Sequence, residues 1–240
     1  MKKANFLLAI LLILSAIPTL GQSIFKTEWY VGGGGDGLST YVLSPNYYGE
    51  PALDSKMTFS YAINLNLGID YNEHWGLKLE IGYAALGQKF DGTQYNLAAN
   101  RTISLNYVMI PLMIKYRVGC EKVKFYVMAG PQLGLLMSAT QDYQRGGADA
   151  PDFNCPGVGM IEVSKKDIAE RLTDAGGYVR ADLGVELTPS KHFMIDIGLT
   201  SAYCVTDLNN RHWRMLNIDK KYNISHNFYG GLNIGFNYRW

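Results

Sequence analysis

The sequence predicts an all-β protein, an eight-stranded antiparallel transmembrane up-and-down β-barrel preceded by a cleavable signal peptide. Three observations predict it. Apolar and polar side chains alternate with a strict period of two in eight segments. Short and long connections alternate between those segments, which is the plan of a barrel with turns on one side of a membrane and loops on the other. The face opposite the apolar one is crowded with charges, which suits lipid outside and ion pairs or water inside. Composition agrees. The chain has 240 residues and a formal charge of +1, from 22 Lys+Arg against 21 Asp+Glu, so it has no basic footprint for nucleic acid. Charged residues make up 18%, below the roughly 25% of soluble domains. The 26 Gly and 17 Tyr against 8 Pro argue against disorder and coiled coils. A mean hydropathy of -0.06 argues against a helical membrane protein.

Residues 1–21 read as the signal peptide. Lys2 and Lys3 form a positive start, Phe6 to Leu14 an apolar stretch, and Thr19 and Gly21 small residues at −3 and −1 of a cut. The apolar run is shorter than the roughly 20 residues a spanning helix needs. Residues 22–240 then form one barrel domain.

The strands are expected over 25–34, 57–71, 76–90, 101–118, 123–137, 177–188, 192–204 and 226–240. In the second, Met57, Phe59, Tyr61, Ile63, Leu65, Leu67 and Ile69 share one face, while Thr58, Ser60, Asn64, Asn66, Gly68 and Asp70 share the other. The last repeats the pattern, with Phe228, Leu232, Ile234, Phe236, Tyr238 and Trp240 opposite Asn227, Asn233, Gly235, Asn237 and Arg239. Short turns fall near Asn72–His74, Gly119–Lys122 and Pro189–Lys191, and longer connections at 35–56, 91–100, 138–176 and 205–225. Aromatics collect at the short-turn ends, where a membrane-interface girdle belongs: Trp29, Tyr71, Trp75, Tyr116, Phe125, Phe193, Tyr238 and Trp240. The lumen is expected to hold an ion-pair network of Lys78, Glu80, Lys115, Arg117, Lys124, Arg180, Asp182, Glu186, Asp196 and Arg239, with Lys26, Glu28 and Asp70 on the same face. A soluble β-sandwich or lipocalin-like barrel also alternates, but it would bury apolar residues inside, and isolated buried charges are costly. Four stretches alternate polar, apolar, Gly, apolar around Gly68, Gly184, Gly198 and Gly235. Their glycines leave lumen space for long neighbouring Lys and Arg side chains.

Leu105–Tyr116, which reads Leu-Asn-Tyr-Val-Met-Ile-Pro-Leu-Met-Ile-Lys-Tyr, resembles a strand of the porin-like outer-membrane β-barrel domain family. Lys124–Pro131, with its Gly-Pro step, resembles that family's next strand, and Asp182-Leu183-Gly184 and Gly32–Gly35 are similar to it too. The resemblance covers essentially all of residues 22–240. It implies an eight-stranded barrel in the outer membrane of Gram-negative bacteria, and no catalytic motif. Some members of the family take part in protein secretion.

The remaining constellations have ordinary readings. Gly32–Gly35 followed by Asp36-Gly37 lacks the helix start and the Lys of a phosphate loop, so strand glycines and a tight turn are expected. His74, His192, His212 and His226 lack the spacing of a metal site, and no cofactor is expected. Ser225-His226 raises a lipid hydrolase, with Asp207 or Asp219 as the orienting acid, but adjacent strand residues point to opposite faces. Residues 164–172 read as a short helix: Ser164 and Asp167 cap it, and Lys166/Glu170 and Asp167/Arg171 form i,i+4 pairs. It either rests against the barrel rim or recognises an external partner. Cys155 and Cys204 lie on the loop side, away from Cys120, and are candidates for a disulfide. Altogether the sequence points to a structural or interaction-bearing barrel without a conducting pore and without enzymatic chemistry. Its expected partners are outer-membrane lipids, the barrel-insertion machinery through the C-terminal strand, and a protein bound by the long loops. The alternatives are a lipid-modifying enzyme and a small channel or secretion accessory.

Overall fold

The computed structural model describes residues 27–43, 53–94, 97–146, 161–214 and 221–240. The signal peptide therefore lies outside the described residues, as do Lys26, Cys155 and Asp219. Ten strands appear among the described residues: β1 (Glu28–Leu43), β2 (Leu53–Lys56), β3 (Thr58–Asp70), β4 (Trp75–Gln94), β5 (Leu97–Gly119), β6 (Val123–Arg145), β7 (Ile161–Asp167), β8 (Ala175–Ser190), β9 (Phe193–Cys204) and β10 (His226–Arg239). Eight of them close an antiparallel ring in the order β1-β3-β4-β5-β6-β8-β9-β10, with β10 returning to β1. Closure satisfies every strand edge from within, which a bilayer requires because it offers the backbone no partners. The two short strands prolong the ring at its far end: β2 pairs the far end of β4 on the edge that β3 holds lower down, and β7 pairs the far end of β6 on the edge that β8 holds.

Three features differ from the sequence reading, each for a physical reason. β1 does not turn at Asp36-Gly37 but runs straight through the glycines to Leu43. A glycine run shows no side-chain alternation, yet its backbone pairs fully: Gly34 faces Gly235 on β10 and Asn64 on β3. β5 and β6 are 23 residues each, so the connection expected at 91–100 is the tip of a long hairpin and β6 reaches Arg145. Finally, Ser164–Asp167 is not helical. It belongs to β7, and only Ala169–Arg171 turns, as a 3-10 helix. Ser164 Oγ donates to Asp142 on β6 (3.3 Å) instead of capping a helix. Local i,i+4 pairs contribute only about 0.2–0.5 kcal/mol each and lose to the ladder with β6.

The two faces of the long strands exchange character along their length. From its short turn, β5 presents Val118, Tyr116, Ile114, Leu112, Ile110 and Val108 outward, then Asn106, Ser104, Thr102 and Asn100. Its inward side begins with buried Arg117 and Lys115, passes to buried Tyr107, Leu105 and Ile103, and then carries Arg101, which stacks on the Tyr143 ring of β6. β4 inverts in the same way: Leu79 and Ile81 outward give way to exposed Lys89 and Asp91, and buried Lys78 and Glu80 give way to Leu86 and Phe90. The outward stretch from Val108 to Val118 matches the roughly 9–11 residues with which a tilted strand crosses hydrocarbon. β3 faces outward with Phe59 at 85% exposure and Leu65 at 68%, an arrangement suited to lipid and not to water. The turn half of the barrel is thus apolar outside and charged inside, while the far half is polar outside and mainly apolar inside, with Gln88, Arg101, Gln141 and Arg145 buried among its apolar residues. Leu53 of β2, with Ile168, Leu172 and Leu208 from the connections, joins the far half's core.

Candidate functional site in the barrel lumen

Every barrel strand except β6 sends at least one charged side chain into the turn half of the lumen network. Two hubs organise it. The Glu186 carboxylate, on β8, accepts from Lys115 of β5, from Arg117 (Nη1 to Oε1, 3.1 Å) and from Arg239 of β10 (Nη2 to Oε1, 3.4 Å). Arg117 also binds Asp70 of β3 (2.6 Å), and Arg239 reaches Glu28 of β1 (3.0 Å). The second hub is Arg180, whose guanidinium grips Asp182 in bidentate fashion (2.9 Å for both bonds) and also Glu80 (2.9 Å). Glu80 takes Lys78 as well (2.8 Å), and Lys78 faces Asp196 of β9 at 3.9 Å. Thr200 donates to Asp182 (2.6 Å) and Asn237 to Asp196 (2.9 Å). Lys78, Glu80, Lys115, Arg117, Arg180, Asp182, Glu186 and Asp196 are all buried. Lys124 is the exception: it stays half-exposed at the turn end of β6 and takes part in none of these ion pairs.

Asp36 is a member the sequence did not disclose. It lies at the edge of the second hub, 4.0 Å from Arg180, and accepts from Asn233 (2.5 Å). Inside a glycine run it resembled a turn residue, and only the pairing of β1 turns it inward. The space above the lumen glycines is also filled differently from expectation. Tyrosines occupy it: a methyl group at Gly198 or Gly184 would come within 2.6 or 2.8 Å of the Tyr126 hydroxyl, and one at Gly68 would meet the Tyr30 ring. Lys115 Nζ sits between these two rings, 5.4 Å from Tyr30 and 5.5 Å from Tyr126, in cation–π contact with both.

Above the charges, Tyr229 donates to Gln132 (2.9 Å) and Gln132 to the Met109 sulfur (3.3 Å), forming a boundary layer. A cavity of ≈ 20 Å³ lies there, lined by Asp36, Glu80, Met109, Arg180 and Tyr229 among others. That is room for about one water molecule. Beyond it the apolar cluster begins, with Leu38, Leu86, Ile103, Leu105 and Tyr178 from the ring.

Two turn histidines support the network. Arg117 N–H donates to the His74 carbonyl (2.8 Å), and His74 Nδ1 bonds the Arg117 carbonyl (3.1 Å). His192 and Arg239 repeat the arrangement at 2.9 and 3.0 Å. Each turn thereby fixes the strand end that presents an arginine to Glu186. Outside, Trp29, Trp75, Tyr116, Phe125, Phe193, Tyr238 and Trp240 are exposed along the short-turn rim, whereas Tyr71 is half-buried within its turn. Trp75 and Tyr116 pack with ring centroids 4.8 Å apart, and Tyr238 stacks on His192.

Ser225 and His226 have different partners. Ser225 N–H donates to Asp207 (3.3 Å) and its hydroxyl accepts from Asn209 (3.1 Å), while His226 Nδ1 bonds the Cys204 carbonyl (2.9 Å). Asp207 also takes Tyr222 and Arg214 (both 2.8 Å), tying together the two described parts of the connection, 205–214 and 221–225. Cys204 is buried, its sulfur 3.4 Å from the Thr206 carbonyl. Cys120 is exposed in the β5–β6 turn.

The family model described as outer membrane protein beta-barrel domain matches residues 28–203. The chain belongs to that family. Accordingly this barrel resides in the outer membrane of Gram-negative bacteria, as the resemblance of its strands implied. No curated protein matches it. Among solved structures it is similar to Ail, the attachment invasion locus protein of Yersinia pestis, at 12% identity over 89% of this chain and 98% of Ail, with a TM-score of 0.43. Neisserial surface protein A is 11% identical over 88% of this chain and 96% of its own, at a TM-score of 0.43. OprG of Pseudomonas aeruginosa is 12% identical over 90% and 97%, at 0.39.

Proposed function

We propose that this outer-membrane barrel does not conduct and performs no catalysis, and that its role is structural or interaction-bearing and carried by its extracellular side. The observation that carries the reading is the doubly filled lumen, with an ion-pair network in the turn half and an apolar core in the far half. An eight-stranded barrel has an interior just wide enough for side chains to fill, and here the one lumen cavity described has room for about one water molecule. The short turns face the periplasm and the extended strands face outward, following the usual asymmetry of such barrels. Lipid covers the apolar belt, the rim aromatics mark the inner interface, and the outer loops are open to a protein partner. The C-terminal strand, closing the ring beside β1, is the segment offered to the insertion machinery. The separate partners of Ser225 and His226 support the absence of a Ser–His couple.

Planar-bilayer recording of the purified protein tests the reading. The expected trace is flat at the unit-conductance level. Steady, reproducible single-channel steps would overturn the filled-lumen reading in favour of a small channel.

A further inference from the structure

The outward face of the extracellular extension carries a groove that plays no part in closing the lumen. It measures ≈ 170 Å³, and its lining is Asn100, Thr102, Asp142, Gln144, Glu162 and Ser164 on the outward face, together with Tyr143 and Val163. The outward residues form two cross-strand rows over β5, β6 and β7, since Asn100 pairs with Gln144, Gln144 with Glu162, and Thr102 with Asp142. The groove is held open at a register shift between Gln141 and Tyr143. Lys165, the one described non-glycine residue with a positive φ (47°), bends the chain so that its N–H donates to Asp142 Oδ1 (2.7 Å), beside Ser164 Oγ. Both bonds fall on Oδ1, so Oδ2 is left for the groove.

We propose that this groove binds the hydroxyl-rich core oligosaccharide of the lipopolysaccharide that surrounds the barrel. Apart from Val163, the lining consists of carboxylates, amides and hydroxyls, with no cationic side chain. Planar carboxylate and amide groups accept from and donate to neighbouring sugar hydroxyls in pairs, whereas a phosphate or sulfate needs Arg or Lys. Height selects the same partner. Thr102 stands six residues beyond Val108, where the continuous apolar outward run of β5 ends, which is about 20 Å along the strand. With a tilt of about 35–45° that is on the order of 15 Å above the hydrocarbon. A phospholipid headgroup layer reaches only about 5–8 Å. In a lipopolysaccharide leaflet, sugars occupy that level, and the groove continues upward from the lipid-covered belt on the same strands.

The test is titration of the full-length, detergent-solubilised barrel with lipid-free core oligosaccharide, followed by calorimetry or amide chemical shifts. Saturable binding is expected, unchanged after enzymatic removal of the oligosaccharide's phosphates. It should weaken about tenfold in Gln144→Ala and in Glu162→Gln, both at exposed positions, with heat-modifiable migration on gels preserved. Absence of binding would overturn the proposal, as would equal affinity in both folded variants. Loss of binding on dephosphorylation would replace it with phosphate recognition. Competition by a heparin oligosaccharide at equal affinity would reassign the groove to free sulfated glycans.

Discussion

Single charges decide whether the lumen holds together. Arg180 satisfies Asp182 through two bonds and Glu80 through a third, and all three residues are buried. Arg180→Ala leaves those carboxylates facing each other with Lys78 as the nearest compensation. It should cost about 3–5 kcal/mol, as breaking buried pairs does, and the unfolding midpoint in denaturant reads that loss. A midpoint unchanged from the parent would mean that the pairs are solvated and not structural. Cysteine chemistry belongs to this scale too. A Cys155–Cys204 bridge, which we propose as compatible with export to an oxidising compartment, would have to displace the Cys204 contact with Thr206. Peptide mapping without reductant should find the linked pair, and two free thiols would remove the idea.

Elements show where polarity inverts. On β5, Leu112 lies mid-way along the lipid-facing stretch and Ser104 beyond it on the same face. Leu112→Arg should therefore destabilise the folded barrel by roughly 2–4 kcal/mol in lipid bilayers. Ser104→Arg should stay within about 0.5 kcal/mol. Equal costs would contradict the boundary at Val108. β10 makes a second element-scale prediction. Deleting Tyr238–Trp240 removes Arg239, with its bonds to Glu28 and Glu186, together with the aromatic end of the closing strand. The shortened chain should fail to assemble and should be degraded, and normal heat-modifiable migration would count against β10 as the insertion signal. This scale also shows why sequence reading stopped where it did. Alternation in Met57–Asp70 disclosed a strand and its lipid face at once, because both faces differ sharply there. Leu105, Tyr107 and Ile103 alternate just as cleanly with Asn106 and Ser104, yet here the apolar side is inside. Period two reports two faces but not which one meets solvent. The Lys166/Glu170 spacing misled for another reason, since pairing with β6 is a long-range contact that no local window contains.

At the scale of the whole molecule, ring closure determines what the sequence could only suggest. The network residues from Lys78 to Arg239 were legible as a charged face, but not their division between Glu186 and Arg180, which depends on ring closure setting one strand between β8 and β5 and two between β8 and β4. Asp36 was hidden because glycines carry no polarity, and the roles of His74 and His192 because they act on strands far away in sequence. The central claim is that one ring is inside-out where it crosses the membrane and conventional above it. Spin labels placed singly along the outward face of β5, at Leu112, Val108, Thr102 and Asn100, test it most directly, in a background with Cys120, Cys155 and Cys204 replaced and the protein in bilayers. Oxygen, which concentrates in lipid, should relax the labels at Leu112 and Val108, and a water-soluble nickel complex those at Thr102 and Asn100. A uniform oxygen response along all four sites, or a nickel response at Leu112, would contradict it.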